Sequence, residues 1–190
     1  MRPFNHILSL LAFVFAVALT QLLTRMGGLL VARKKVKSYG LTALTALLAV
    51  QIIFTNWLSI WEVHNKVQWN LPTIGSLFLF VIAVYFISVF ALPAPESNGP
   101  TDLEEFYWSH RVPYYIAWLA CELLAILCNL QFSDDHNSGR MLSENLSNVL
   151  TIPPILLALV VAKRWAQWTG GLLLLTVNAY FLFTFDVSLA

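Results

Sequence analysis

The chain is poor in charged residues. Only 11% of its 190 residues are Asp, Glu, Lys or Arg, whereas a soluble domain usually carries about 25%. Hydrophobic residues make up 58% of the chain, and its mean hydropathy is +0.71. The charge is too sparse to coat a globule, so the composition excludes a soluble enzyme, a nucleic-acid-binding protein and a disordered scaffold.

The sequence also lacks the usual signs of chemistry. Its two cysteines, Cys121 and Cys128, lie inside one apolar block and indicate no disulfide framework. It contains no H-E-x-x-H, G-x-S-x-G or Gly-rich phosphate motif, and no potassium filter or arginine ladder. We therefore expect no enzymatic activity, no cofactor and no metal site.

The chain has long apolar blocks instead. A helix needs about 20 apolar residues to cross a bilayer, and six blocks meet this requirement. The connections between them are too short to fold alone. We predict a single transmembrane domain over residues 1–190, an all-α bundle of six transmembrane helices. The predicted spans lie at roughly 7–25, 41–62, 71–93, 113–132, 147–163 and 166–186.

The basic residues predict the orientation. Placing residues 25–40 in the cytoplasm gives that side eight cations and the outer side three, as the positive-inside rule requires. We take the first block as a true span, because its removal as a signal peptide would export five of these charges. The predicted topology is N-out/C-out. The eight cations are Arg25, Arg33, Lys34, Lys35, Lys37, Arg111, Lys163 and Arg164, and the other three are Arg2, Lys66 and Arg140.

The connection between the third and fourth spans predicts a short helix of its own. Thr101 and Glu104 have the spacing of a capping box, and apolar side chains follow at helical spacing. We expect a helix over about 101–111 that lies in the membrane interface. Pro113 then starts the fourth span, in a position that tolerates proline.

Glu122 is the acid nearest the middle of any span. Ionisable groups at that depth are costly and usually face protein or water, and desolvation favours the neutral carboxyl. Gln51, Thr55 and Glu62 form a polar stripe on the second span, and Asn178 lies near the centre of the sixth. A bundle that joins these side chains would provide a proton or ion path from mid-membrane to the outer face.

Two interpretations of these residues stay open. Polar side chains in membrane bundles often hydrogen-bond between helices and contribute only about 0.6 kcal/mol each. Glu122, Gln51 and Asn178 would then stabilise the bundle and nothing more. In the alternative, Glu122 is the titratable site of a transport or sensing function.

Charged residues on the cytoplasmic side predict a contact surface. A basic run near the start of the second span has the composition to bind anionic lipid, at about 1 kcal/mol per charge. Two acids in the predicted 101–111 helix are candidates for contact with a partner protein. These residues are Arg33, Lys34, Lys35, Lys37, Glu104 and Glu105.

About half of the chain resembles uncharacterised six-helix inner-membrane proteins of bacteria. The residues that carry the resemblance run from the end of the first predicted span to the start of the fourth. This resemblance implies a multi-pass protein of the bacterial cytoplasmic membrane and assigns no activity. The residues that carry the resemblance are the segment 19–28, Trp57, Trp61, Trp69, Tyr85, Ala91-Leu92-Pro93, Asp102-Leu103, Tyr107, Arg111 and Tyr114-Tyr115.

Function is less constrained by the sequence than architecture. We favour an oligomeric channel or transport module, because six short helices enclose little volume and a pore forms more easily between protomers. The alternative is a non-catalytic sensor, effector or assembly subunit that acts through its cytoplasmic loops. An intramembrane lipid enzyme is a third hypothesis, for which the sequence offers no nucleophile–base pair. Expected partners are membrane lipids and further membrane-protein subunits, not nucleic acid.

Overall fold

The computed structural model of the chain is nearly all helical. It describes residues 3–59, 70–94, 100–132 and 138–184. Six helices in this part confirm the all-α prediction, and each overlaps one predicted span. They are α1 (Pro3–Val31), α2 (Gly40–Ser59), α3 (Leu71–Ala91), α4 (Leu103–Phe132), α5 (Ser138–Val160) and α6 (Arg164–Thr184).

The bundle buries polar side chains and exposes apolar ones. Glu122, Gln167 and Asn178 are all buried, whereas Val31 is 89% and Phe183 91% exposed. This distribution suits a hydrocarbon solvent, in which polar groups must find partners inside the protein. Four helices are long and apolar enough to cross a membrane, namely those at Ile7–Val31, Gly40–Ser59, Leu71–Ala91 and Leu103–Phe132.

The other two helices carry more polar residues. The apolar part of α5, Asn145–Val160, is shorter than the four long ones. Its Asn145 and Thr151 are nevertheless buried, while Leu146 and Leu150 on the outside are about half exposed. The amides of α6 are likewise directed inward. Helices α5 and α6 are therefore amphipathic, with the polar face toward protein. Their polar residues lower their mean hydropathy below that of the other four helices.

The predicted interfacial helix at 101–111 is wrong as a separate element. Helix α4 runs without interruption from Leu103 to Phe132, with Pro113 inside it. Proline removes one helical hydrogen bond, but neighbouring helices make such residues tolerable in membrane bundles. Contacts on both sides of Pro113 hold α4 in place: Tyr107 bonds Gln167 of α6, and Tyr114 bonds the Thr45 carbonyl of α2.

The predicted capping residue is also displaced by one position. The side chain of Asp102, not Thr101, accepts hydrogen bonds from the backbone N–H groups of Glu104 and Glu105. Thr101 and Asp102 instead form strand β2, which pairs in parallel with β1 (Val36–Lys37). Because α4 begins at Leu103, Asp102 is the residue directly before the helix and takes the capping position.

The two strands join two connections at one end of the bundle, and side-chain contacts of α6 add the third. We call this the basic end; it contains residues 32–39, 92–94, 100–102 and 161–164. Lys37 pairs with Asp102 at 2.8 Å, and Arg164 pairs with Glu104. Gln167 of α6 accepts a hydrogen bond from the Tyr107 hydroxyl and donates to two carbonyls at the end of α5. The connections are thus tied across all three helix pairs.

Two arginines close the ends of other helices. Arg25 of α1 donates to the carbonyls of Val89 and Leu92 at the end of α3, each at 2.5 Å. Arg111 of α4 donates to the Ala158 and Leu159 carbonyls near the end of α5. The last carbonyls of a helix lack helical partners and carry its negative dipole end, so a cation there is stabilising.

Two glycines set the position of α6. A Cβ on Gly170 would lie 2.9 Å from the Pro154 carbonyl of α5, and one on Gly171 would lie 2.5 Å from Leu44 of α2. The missing side chains therefore allow α6 to pack closely on both α2 and α5, as glycine does in other membrane bundles. At Gly27 of α1 a Cβ would meet nothing within 4 Å.

Candidate functional site

The carboxylate of Glu122 is buried in the bundle. Glu122 is 5% exposed, and its Oε1 accepts a hydrogen bond of 2.9 Å from the indole Nε1 of Trp118. Trp118 lies four residues earlier, on the same face of α4. The hydroxyl of Thr151 on α5 also interacts with the carboxylate. The acid predicted from the sequence therefore lies where α4 meets α5, and the Trp118 indole is its hydrogen-bond donor.

Further polar side chains continue from Glu122 along the interface between α4 and α5. Asn129 of α4 donates to the Asn145 side chain of α5 at 3.0 Å, and Thr151 donates to the Asn148 carbonyl. Residues 145, 148 and 151 recur every third position, so α5 presents about one polar side chain per turn here. We call this set the α4–α5 seam: Glu122, Asn129, Asn145, Asn148 and Thr151.

The polar stripe of α2 lies against a different helix. Gln51 donates to the Leu175 carbonyl of α6 at 3.4 Å, and its Oε1 is buried without a hydrogen-bond partner. Thr55 donates to the Gln51 carbonyl, and Asn178 donates to the Leu174 carbonyl of its own helix. Glu62, the predicted outer mouth of the path, lies outside the described residues.

The predicted path is thus divided between two interfaces. In the described part of the chain, no hydrogen bond joins Glu122 to Gln51, Thr55 or Asn178. The sequence placed these residues at similar depth, but depth along a helix does not specify which neighbour its face meets. Asn129, already on the Glu122 face by spacing, is the member of the seam that periodicity alone could identify.

An aromatic cluster separates Glu122 from the basic end. Tyr114, Tyr115 and Trp118 are each at most 1% exposed. Their rings contact one another, with centroid distances of 5.1 Å for Tyr114–Tyr115 and 5.7 Å for Tyr114–Trp118. Beyond them lies a cavity of about 10 Å³ lined by Thr45, Arg111 and Tyr114 among others, enough for about one water.

The predicted lipid and partner residues differ in what they contact. Lys37 and Glu104 are engaged within the chain, in the ion pairs with Asp102 and Arg164. The hydrogen bond to Asp102 raises the pKa of Lys37, and the same bond lowers the pKa of Asp102. The others are exposed and have no ion pair with any described residue; they are Arg33, Lys34, Lys35 and Glu105.

Several residues with tertiary roles were not identified from the sequence. Arg25 and Arg111 counted only as charges that fix the topology, and Gln167 carried no prediction. Their spacing within their own helices contains no signal, because their partners are carbonyls of other helices. Thr151 likewise gains its importance only when α5 packs on α4.

A scan against protein-family models found no match for this chain, and searches of curated proteins and of solved structures found none either. No role is transferred to these side chains from another protein. Their own contacts are the basis of the function proposed for them.

Proposed function

We propose that this membrane protein is a small channel or transport module in which Glu122 binds and releases a proton or ion. The observation that carries the proposal is a buried carboxylate bonded by Trp118 and facing Thr151. Helices α2, α3 and residues 145–160 of α5 contain no Asp, Glu, Lys, Arg or His. With no cation beside it, a buried carboxylate is most readily neutralised by a proton.

The module works as a homo-oligomer in this proposal. The cavity beyond the aromatic cluster holds about one water, which is too small to form a path through a single chain. A path formed between protomers is not limited by the size of this cavity. The exposed apolar faces of the helices would form the contacts between the protomers. Gln51, Thr55, Asn178 and Glu62 are retained as candidate path residues, since Gln51 has an unused buried acceptor.

The test is proton flux into proteoliposomes that contain wild-type protein or Glu122→Gln. The substitution keeps the size and a hydrogen-bond acceptor for Trp118 but cannot bind and release a proton. We expect flux with the wild type and none with the variant, while Ser88→Ala, a change at a buried polar position of α3 outside the proposed path, should keep the wild-type flux. Equal flux through wild type and Glu122→Gln would contradict the proposal.

The second candidate function is a sensor, effector or assembly subunit that acts at the basic end. It is favoured by the exposed, unpaired side chains of Arg33, Lys34, Lys35 and Glu105 among the described residues. Glu104 already pairs with Arg164, so a change there would also break an ion pair within the chain. Charge reversal at Glu105 avoids this and tests partner contact alone. Loss of function in Glu105→Lys, with Glu122→Gln fully active, would favour this candidate.

The proposed setting is a bacterial cytoplasmic membrane, with six spans in the N-out/C-out orientation. Six cations at the basic end are exposed on one side of the bundle, as the positive-inside rule expects of a cytoplasmic face. Arg33, Lys34 and Lys35 would meet anionic headgroups there. Trypsin cleavage in inside-out but not right-side-out vesicles would test this orientation. The six cations are Arg33, Lys34, Lys35, Lys37, Lys163 and Arg164.

A further inference from the structure

We infer that the basic end carries a docking surface for anionic phospholipid headgroups, formed by four unpaired cations and by two indoles at the start of α6. The inference rests on the proposed membrane setting and is independent of Glu122. It adds the start of α6 to the basic run and commits the whole surface to lipid. We call these residues the headgroup surface: Arg33, Lys34, Lys35, Lys163, Trp165 and Trp168.

The four cations of the headgroup surface are not used by the fold. Each is exposed, and none makes a hydrogen bond or an ion pair with any residue in the described part of the chain. Arg25 and Arg111 differ, because both donate to carbonyls at helix ends. The fold therefore accounts for these two arginines and leaves the four other charges for a partner outside the chain.

The described acids beside these cations do not neutralise them. Asp102 pairs with Lys37 and Glu104 pairs with Arg164, so two of the three acids already have a cation of their own. Glu105 is the third and has no ion pair with a described residue. Four unpaired cations against one unpaired acid give a net positive surface, which is complementary to an anionic leaflet.

The conformation of the basic run favours several headgroups over one compact ligand. Residues Arg33–Lys35 form a short 3₁₀ helix, a conformation with about three residues per turn. Its three side chains are therefore spread about 120° apart around the helix axis and do not converge on a single phosphate. A leaflet offers headgroups on several sides at once, so it matches this arrangement.

Exposed apolar side chains beside the cations favour a membrane over an acidic protein. Leu30 and Val31 come directly before the basic run and are exposed, as are Trp165 and Trp168, which follow Lys163. Cations next to aliphatic side chains and indoles match the boundary between headgroups and acyl chains, where indoles are enriched and cations meet phosphates. A purely acidic protein surface offers no contact for these apolar side chains.

Contacts within the chain hold the two parts of the headgroup surface at the same place. The Cζ of Arg164 lies 5.9 Å from the centroid of the Tyr39 ring. A Cβ on Gly40 would lie 3.0 Å from the Trp168 indole, so this indole packs on the start of α2. The start of α6 therefore lies beside the connection that carries the basic run.

The test is quenching of tryptophan fluorescence by brominated lipids, which quench an indole only at short range. The full chain is reconstituted into mixtures of phosphatidylglycerol and phosphatidylcholine in which one lipid or the other carries bromine near the headgroup. The difference between the wild type and Trp165→Phe/Trp168→Phe isolates the two indoles of the headgroup surface. The readout is the relative affinity of this surface for the two lipids, and it does not depend on transport.

We expect the wild type to prefer phosphatidylglycerol by at least about fivefold, the effect of one cation at an anionic leaflet. High salt should reduce this preference, and Arg33→Gln/Lys34→Gln/Lys35→Gln/Lys163→Gln should bring it below about twofold.

The matched control is Lys37→Gln/Asp102→Asn, which removes an exposed ion pair at the same end and leaves the net charge unchanged. Asn at position 102 keeps an acceptor for the helix cap. This variant should therefore keep the wild-type preference for phosphatidylglycerol.

Equal quenching by both lipids in the wild type would overturn the inference, and so would a preference that survives removal of the four charges. Equal quenching together with binding of polyglutamate would overturn it in favour of an acidic protein partner. Melting temperature and gel filtration identify variants that fail to fold, and the wild-type comparison decides without them. Absence of quenching by either lipid would refute the membrane setting and the proposed function with it, whereas equal quenching would leave the flux test of Glu122 unaffected.

Discussion

The buried amides at the basic end and in the middle of the bundle differ in how many hydrogen bonds they form. At the basic end, Gln167 uses its oxygen and both N–H groups of its amide, bonding Tyr107 and the carbonyls of Ala158 and Val161 at 2.6–2.8 Å. In the middle, Gln51 makes one long bond of 3.4 Å and leaves its Oε1 without a partner. Every hydrogen-bonding group of the Gln167 amide therefore has a partner, whereas the Gln51 amide keeps an unused acceptor.

This difference identifies Gln167 as an amide that specifies the packing of its helices and Gln51 as one that contributes little to it. A buried polar group that satisfies every bond stabilises one arrangement of its helices and specifies it. A buried group with an unused acceptor costs stability, and such sites need an explanation beyond folding. The contacts of Gln167 therefore clamp α4, α5 and α6 together at the basic end, whereas Gln51 joins α2 to α6 by one long bond.

The largest expected effect is on the clamp. Gln167→Leu removes three hydrogen bonds and leaves the Tyr107 hydroxyl and the Val161 carbonyl without their partner. We expect a loss of about 2–4 kcal/mol in unfolding free energy, measured by thermal unfolding in detergent. Tyr107→Phe, which removes one of these bonds, should lose about 1 kcal/mol. A loss below about 0.5 kcal/mol in Gln167→Leu would contradict the structural role of this residue.

The matched change at mid-depth should have a much smaller effect. Gln51→Leu removes a weak bond and at the same time an unsatisfied acceptor, and these contributions oppose each other. We expect the unfolding free energy to change by less than about 0.5 kcal/mol in the same assay. If Gln51→Leu instead destabilised the protein as much as Gln167→Leu, the distinction between the two regions would fail.

The smallest effect concerns the exposed ion pair at the basic end. Because the Lys37 bond lowers the pKa of Asp102, its stabilisation is present above the ordinary value of 3.8 and is lost as the pH falls through the lower folded value. Lys37, with a raised pKa, loses its share as the pH rises through a value above 10.5. Solvent screens both groups, so the change is small.

The measurement is the melting temperature of wild type and Lys37→Gln across this pH range. The wild type should be slightly more stable between the two limits, and the difference should vanish at acid pH. High salt should also reduce it, because screening weakens exposed pairs. A difference that is independent of pH and salt would show that Lys37 acts through packing and not through its charge.

Much of the helix layout was predictable, and the errors have identifiable causes. The six apolar blocks each correspond to a helix, and four of these helices are long and apolar enough to cross a membrane, where every backbone group must be bonded within its own segment. The split at Pro113 was wrong because contacts of Tyr107 and Tyr114 with other helices keep α4 continuous across the proline. Asp102 replaced Thr101 as cap because α4 begins at Leu103, one residue later than the capping box predicts.

The candidate site was predictable only in part. A lone acid among apolar residues identified Glu122, and helical spacing placed Asn129 on its face. Neither signal could identify Thr151, or show that Gln51 and Asn178 lie at a different interface from the carboxylate. The reason is that α5 packs on α4, and α6 on α2, through contacts between side chains of different helices. Gly170 and Gly171 illustrate this: their role depends on the Pro154 carbonyl and Leu44 side chain opposite them.

The sequence by itself determined the apolar helices and the isolated acid among them. These properties depend on local composition, because transfer of an apolar segment or of a charge into hydrocarbon is a free energy of that segment alone. The tertiary structure decided which helices share each interface, which arginines cap which helix ends, and that Glu122 faces Thr151. These depend on the complementarity of side chains far apart in the chain, and only packing brings them into contact.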